Sequence, residues 1–119
     1  MRSTFEERFA ADLKKRGIAY EYEPTSLTYV VPRKYTPDFS VKAKGALKPI
    51  YIETKGYFTP ADRTKTLAVL SAHPSIDLRF VFQNASNKLG KGSKTTYGQW
   101  CTKQGIMWAE GKIPKAWLD

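Results

Sequence analysis

Pro49–Ile50–Tyr51–Ile52–Glu53–Thr54–Lys55 is the stretch on which the fold turns. Its β-branched and aromatic residues predict a strand, and Gly56 closes it. Thr59–Pro60–Ala61–Asp62 then starts a helix, with a capping hydroxyl, a proline at the first helical position and an acid in the first turn. That helix is predicted over 60–72, buried through Leu67, Ala68 and Leu70 and stopped by His73–Pro74. Leu78–Arg79–Phe80–Val81–Phe82 follows as the most apolar strand of the chain. Strand, helix and strand in succession give an α/β fold on a mixed central sheet.

Outward from this unit, Ser3–Thr4–Phe5–Glu6 has the form of a capping box, and Phe5, Phe9, Ala10 and Leu13 share one face, so a helix is predicted over 4–16 with Gly17 as its stop. Ile18, Tyr20 and Tyr22 alternate with polar residues, and Leu27–Thr28–Tyr29–Val30–Val31 is β-rich; these read as two adjacent strands. Tyr35–Thr36–Pro37–Asp38–Phe39–Ser40–Val41 reads as a strand that begins at an edge or a bulge, because proline cannot donate to a ladder. Toward the C-terminus, Asn84 to Lys94 reads as an exposed loop, Tyr97 to Gln104 as a short helix, Ile106–Met107–Trp108 as a short strand, and Ile113 to Leu118 as a last turn. The order is αββββαβ, with no repeat or linker, and residues 1–119 are expected to form a single domain.

Twenty Lys and Arg against eleven Asp and Glu leave a formal charge of +9, which on so small a body attracts polyanions. Nucleic acid is the expected partner; a membrane is not, since no apolar run approaches the length of a bilayer span. The start, Met1–Arg2–Ser3–Thr4–Phe5–Glu6–Glu7, is too charged for a signal peptide, and a cytoplasmic location is expected. Cys101 is the sole cysteine, which excludes an internal disulfide and a cysteine-built zinc site.

Asp38, behind Pro37, and the pair Glu53 and Lys55 carry the candidate chemistry. Residues two apart on a strand share a face, so Glu53 and Lys55 project together, and Asp38 on a neighbouring strand can join them. Hydrolysis of a phosphodiester calls for a hard divalent cation that neutralises charge and acidifies a water, and Mg²⁺ takes a few carboxylate oxygens with waters filling the rest. Asp38 and Glu53 are the candidate metal ligands, and the Lys55 ammonium would stabilise negative charge developing on the phosphate. The plain alternative is a surface ion pair between Glu53 and Lys55, worth ~0–1 kcal/mol. The β context, the positive charge and the Lys-rich loop favour chemistry.

The sequence resembles the phage endonuclease I family of Holliday-junction resolvases, within the PD-(D/E)xK nucleases. The likeness lies in Gly17–Ile18, Tyr20–Glu21–Tyr22–Glu23, Tyr35–Thr36–Pro37–Asp38–Phe39, Glu53–Thr54–Lys55–Gly56, His73–Pro74, Asp77–Leu78–Arg79 with Val81–Phe82, Lys91–Gly92–Ser93, Tyr97–Gly98, and Ile113–Pro114 with Trp117. The resemblance implies a restriction-endonuclease-like fold, an intertwined homodimer with two composite active sites, dependence on Mg²⁺ or Mn²⁺, and cleavage of branched double-stranded DNA. It implies Asp38 and Glu53 as metal ligands, Lys55 as the catalytic lysine and Glu6 as a fourth catalytic acid, with Glu7 as the alternative one register away. Glu6 also holds the third helical place of a capping box, a structural role. Departures from the family pattern are expected in a missing N-terminal leader, a missing basic C-terminal tail and a longer turn at Lys42 to Lys48.

Other residues have plainer readings. His73 at a helix end reads as a cap, and Cys101 and the three tryptophans read as core. Lys88, Lys91 and Lys94 have nothing to bury and are candidate contacts to DNA phosphates. The function read from the sequence is thus a metal-dependent endonuclease for branched DNA. The rivals are a nicking or restriction-type nuclease of the same fold and a non-catalytic basic DNA-binding protein.

Overall fold

A computed structural model describes residues 3–119; Met1 and Arg2, which carry part of the signal-peptide reading, lie outside the described residues. The chain separates into two compact units, one ending at Arg33 and one running from Lys34 to Asp119.

In the first unit, helix α1 spans Thr4–Lys15. Ser3 caps it by accepting the Glu6 backbone N–H at 3.1 Å, with Glu6 and Glu7 in the first turn and Lys14 and Lys15 in the last, each sign placed where the helix dipole favours it. Gly17 takes φ +71°, which lets the chain leave the helix. The predicted strands over 18–22 and 27–31 are not formed among the described residues. Both segments are without ladder partners among the described residues, and Leu27, Tyr29 and Val30 are each more than 80% exposed. Alternation marks a segment suited to a half-buried surface, but it does not supply the surface.

The second unit is built on a four-stranded sheet in the order β1-β2-β3-β4. Strand β1 spans Phe39–Val41, β2 Ile50–Lys55, β3 Asp77–Phe82 and β4 Trp108–Glu110. β1 pairs antiparallel with β2, and β2, β3 and β4 run parallel. Parallel neighbours need crossovers, and helices α2 (Pro60–Ala72) and α3 (Tyr97–Lys103) provide them. The strand expected over 35–41 is confined to its last three residues, since the chain pairs only beyond Pro37 and Asp38. The last strand lies two residues later than expected.

Alternation along the strands sorts the core onto two faces. Leu78, Phe80 and Phe82 of β3 join Phe58, Tyr97 and Cys101 on one face, with Leu70 of α2 packed against them. Ile50, Ile52, Val81 and Ala109 form the other, covered by Ile113 and Trp117 next to a short 3₁₀ turn at Lys115–Trp117. Phe58 is the hub of the first face, with ring centroids of Phe80, Phe82, Tyr97 and Trp100 all within 6 Å. Gly98 lets the Trp108 ring lie directly on α3; a Cβ there would come within 2.5 Å of it.

Helix α2 forms where expected but buries a different face. Its one fully buried residue is Thr66, while Leu67 and Ala68 are exposed and Leu70 is half-buried. Thr66 is tolerated inside because its hydroxyl donates to the Asp62 carbonyl at 2.8 Å, one turn back.

Candidate active site

Strand β2 carries Tyr51, Glu53 and Lys55 on the same face as the Phe80 and Phe82 side of β3, through the pairings Glu53 with Phe80 and Lys55 with Phe82. Glu53 and Lys55 stand at the carboxyl end of a parallel strand, where open α/β sheets place ligands. The β1–β2 register, Phe39 opposite Ile52, continued by one step sets Asp38 opposite Glu53. The Asp38 side chain is then anchored across the strands: its Oδ2 accepts the Thr54 backbone N–H at 2.9 Å and the Thr54 hydroxyl at 3.0 Å.

Glu53 is 7% exposed, and a buried carboxylate is stable only if its oxygens are satisfied and its charge is met. Tyr35 donates its hydroxyl to Oε1 at 2.7 Å, and the Lys55 ammonium lies 3.9 Å from Oε2. Burial, followed by the hydrogen bond and the negative charges of Glu53 and Asp38, pushes the Tyr35 phenol far above its ordinary range, so this hydroxyl stays a donor. The Glu53–Lys55 pair forms, but with its carboxylate buried it is not a plain surface ion pair.

Asp62 was legible from the sequence only as an acid in the first turn of α2, and there it closes a capping box: its Oδ2 accepts the Thr59 backbone N–H at 3.0 Å while Thr59 Oγ1 accepts the Asp62 N–H at 3.1 Å. Its other oxygen, Oδ1, accepts from Lys55 Nζ at 3.3 Å. Burial alone would raise the Asp62 carboxyl, but the Thr59 hydrogen bonds and the Lys55 charge outweigh it and hold the group below its usual range. Lys55 is thus gripped between Glu53 of its own strand and Asp62 of α2. Tyr35, Asp38, Glu53, Lys55, Asp62 and Lys65 all line one cleft of about 200 Å³. A larger open groove, about 480 Å³, lies by α3 and β4, but its acid, Glu110, is held by the Ala85 backbone N–H at 2.8 Å.

The donor set of the small cleft suits a hard cation. Among the described residues, Asp38 Oδ1 and Glu53 Oε2 accept no hydrogen bond, leaving one open carboxylate oxygen on each residue. Among the described residues, no group of three or more His, Cys, Asp or Glu is gathered that could by itself hold a metal ion.

In the first unit, Glu6 is not held by a reciprocal capping box as α2 and α3 are. Its backbone serves the Ser3 cap, while its carboxylate accepts the Tyr22 hydroxyl, and that hydrogen bond is the main reason the Tyr22 phenol is pushed up to about 12. Glu6 and Glu53 therefore share one arrangement, a carboxylate oriented by a tyrosine hydroxyl. Glu7 makes no side-chain hydrogen bond or ion pair with the described residues.

Lys88, Lys91 and Lys94 are exposed, in a loop more ordered than its composition suggests. Lys88 bridges to Thr96, the Leu89 N–H reaches the Thr95 carbonyl at 2.9 Å, and Lys88 Nζ donates to the Lys94 carbonyl at 3.3 Å. Leu89 and Ala85 tie the loop to the core. His73 caps α2 through its backbone N–H to the Val69 carbonyl, and Cys101 is fully buried, its thiol pushed up to about 12 by that burial. Trp100 and Trp117 are half-buried against the two core faces, whereas Trp108 is 37% exposed and donates its indole N–H to the Thr102 hydroxyl.

The family described as phage endonuclease I matches this chain over residues 1–119. The chain is 42% identical over 118 residues to "Endodeoxyribonuclease 1" of Enterobacteria phage T3, covering 97% of this chain and 74% of that one. It is 40% identical over 120 residues to "Endonuclease I" of Escherichia phage T7, covering 98% and 77%.

Proposed function

The chain belongs to the phage endonuclease I family, and on that premise we propose that it is a metal-dependent endodeoxyribonuclease that binds branched double-stranded DNA and cuts it by phosphodiester hydrolysis. The observation that carries this reading is the cleft in which Asp38 and Glu53 each keep an open oxygen beside the paired ammonium of Lys55. Asp38 and Glu53 would hold Mg²⁺, with Mn²⁺ able to substitute. When bound, the ion neutralises phosphate charge and makes water a stronger nucleophile. Tyr35 keeps Glu53 turned into the cleft, and Asp62 keeps the Lys55 ammonium pointed at the place where negative charge grows on the phosphate. Lys88, Lys91 and Lys94 contact the DNA backbone, and the +9 charge draws it in.

The protein acts as an intertwined homodimer on a restriction-endonuclease-like framework. The exposed, unpaired Leu27 to Val31 segment supports this, because a β-rich apolar run without a ladder is a template for a second chain. In such a dimer Glu6 acts in a composite site formed mainly by the partner chain, which delivers two symmetric cuts to one junction. The test is incubation with Mg²⁺ and a supercoiled plasmid carrying an extruded cruciform. Linear product from paired cuts at the cruciform, absent in EDTA, is expected. Retarded but uncut plasmid would leave only a DNA-binding protein, and nicks scattered over a cruciform-free plasmid would point to a nicking enzyme.

A further inference from the structure

The cleft holds two ammonium groups that the chain treats differently. Lys55 is neutralised on two sides, by Glu53 and Asp62. Lys65 projects from α2, one turn of helix after Asp62, and lines the same cleft, but among the described residues it meets no carboxylate. Its Nζ lies instead over the Tyr35 ring, 5.4 Å from the centroid. Tyr35 is fixed at its other end by the 2.7 Å hydrogen bond to Glu53. A cation over an aromatic face is attracted without losing its charge, so it remains able to take an anion.

We propose that Lys65 is a second phosphate-binding residue of this site, and that the Tyr35 ring is the platform that aims it. The inference rests on the nuclease reading and names which DNA phosphate the cleft holds besides the one that is cut. Lys65 stands over the Tyr35 ring, whose hydroxyl meets Glu53, and so serves a phosphate flanking the scissile one. The three acids of the cleft, Asp38, Glu53 and Asp62, otherwise face the DNA with only Lys55 against them, and Lys65 offsets that repulsion where the strand enters. Tyr35 thereby acts in two directions, through its hydroxyl on Glu53 and through its ring on Lys65.

The test measures binding of the full-length protein to a fluorescent four-way junction in EDTA over a range of salt, with cleavage in Mg²⁺ measured in parallel. For Lys65→Gln, the log–log salt dependence should become shallower by about 0.9, and affinity near 0.15 M salt should fall roughly three- to tenfold, one counterion-releasing contact being lost. Cleavage at limiting enzyme should fall with it. Lys65→Arg should keep the wild-type slope, and Lys115→Gln, on the 3₁₀ turn that flanks the other face of the sheet, should leave it unchanged. Tyr35→Phe should keep the slope because the ring remains, whereas Tyr35→Leu should flatten it as Lys65→Gln does. A Lys65→Gln protein with wild-type slope and affinity overturns the inference, as does an equal loss in Lys115→Gln, which would reduce Lys65 to a share of the general field. Either result with wild-type protein that still cuts leaves the nuclease reading standing; wild-type protein that binds but never cuts removes that reading instead.

Discussion

A carboxylate placed as Glu53 is has two neighbours that depend on it: the Tyr35 hydroxyl and the Lys55 ammonium. Replacing Asp38, Glu53 or Lys55 by Ala should abolish cutting while DNA binding stays within a few-fold of wild type, as the proposed phosphate contacts from lysines elsewhere require; gel retardation beside a cleavage assay checks both. Glu53→Ala should also lower stability by about 1–3 kcal/mol, since Tyr35 is left as a half-buried donor with no acceptor. Asp62 tests the positioning of Lys55. Asp62→Asn keeps an oxygen for the Thr59 N–H but withdraws the charge, and a lysine released from its aim should slow cleavage by about ten- to a hundredfold with little change in binding. Because the Asp62 carboxyl is lowered on folding, its contribution is complete above its unfolded value near 3.8 and is lost as pH falls through the folded value. The stability gap between wild type and Asp62→Asn, read by urea unfolding, should therefore be widest at neutral pH and close in acid. A gap that persists at low pH would assign the difference to something other than the charge. Asp38, Glu53 and Lys55 were legible because two-residue spacing on a strand and a preceding proline are local signals. Tyr35 and Lys65 were not, because what makes them part of the site is a hydrogen bond and a ring contact between distant segments.

Elements announce themselves through their ends. Ser3, Thr59 and Thr96 each cap a helix with a side-chain oxygen, and α1, α2 and α3 begin within a residue of where the sequence places them. What each element faces is harder to read. α2 turns Thr66 inward and leaves Leu67 out, since a threonine that bonds back along its own helix can replace an aliphatic residue in the core. The segments over 18–31 have strand composition and no strand, because a ladder is a property of two segments. At α3 the fit with Trp108 is close enough to predict a cost: Gly98→Ala should destabilise the protein by about 1–3 kcal/mol through overpacking, visible in denaturant midpoint with an unchanged slope. The loop around Lys88 can be tested as a unit. Changing Lys88, Lys91 and Lys94 together to Gln should flatten the salt dependence of DNA binding by about 2–3 log–log units, near one per lost contact, and less if the wild-type Lys88 keeps its bond to the Lys94 carbonyl when DNA is bound. An unchanged slope assigns all three to solvation.

For the whole molecule the decisive experiment mixes two dead proteins. Glu6→Ala and Asp38→Ala subunits, allowed to exchange, give a heterodimer in which one composite site lacks both residues and the other is intact, provided the two acids of a site come from different chains. Nicking should then return. Silence in a mixture shown by tag pull-down to contain heterodimer refutes the shared site, and a fully active Glu6→Gln protein would return Glu6 to its place beside the Ser3 cap. The exposed run from Leu27 to Val31 has one more consequence, which concerns dilution. If only another copy can cover those side chains, folding and association are a single reaction, and mass action governs both. The melting temperature should then climb as the protein is concentrated, and a preparation thinned far enough should lose activity and structure together.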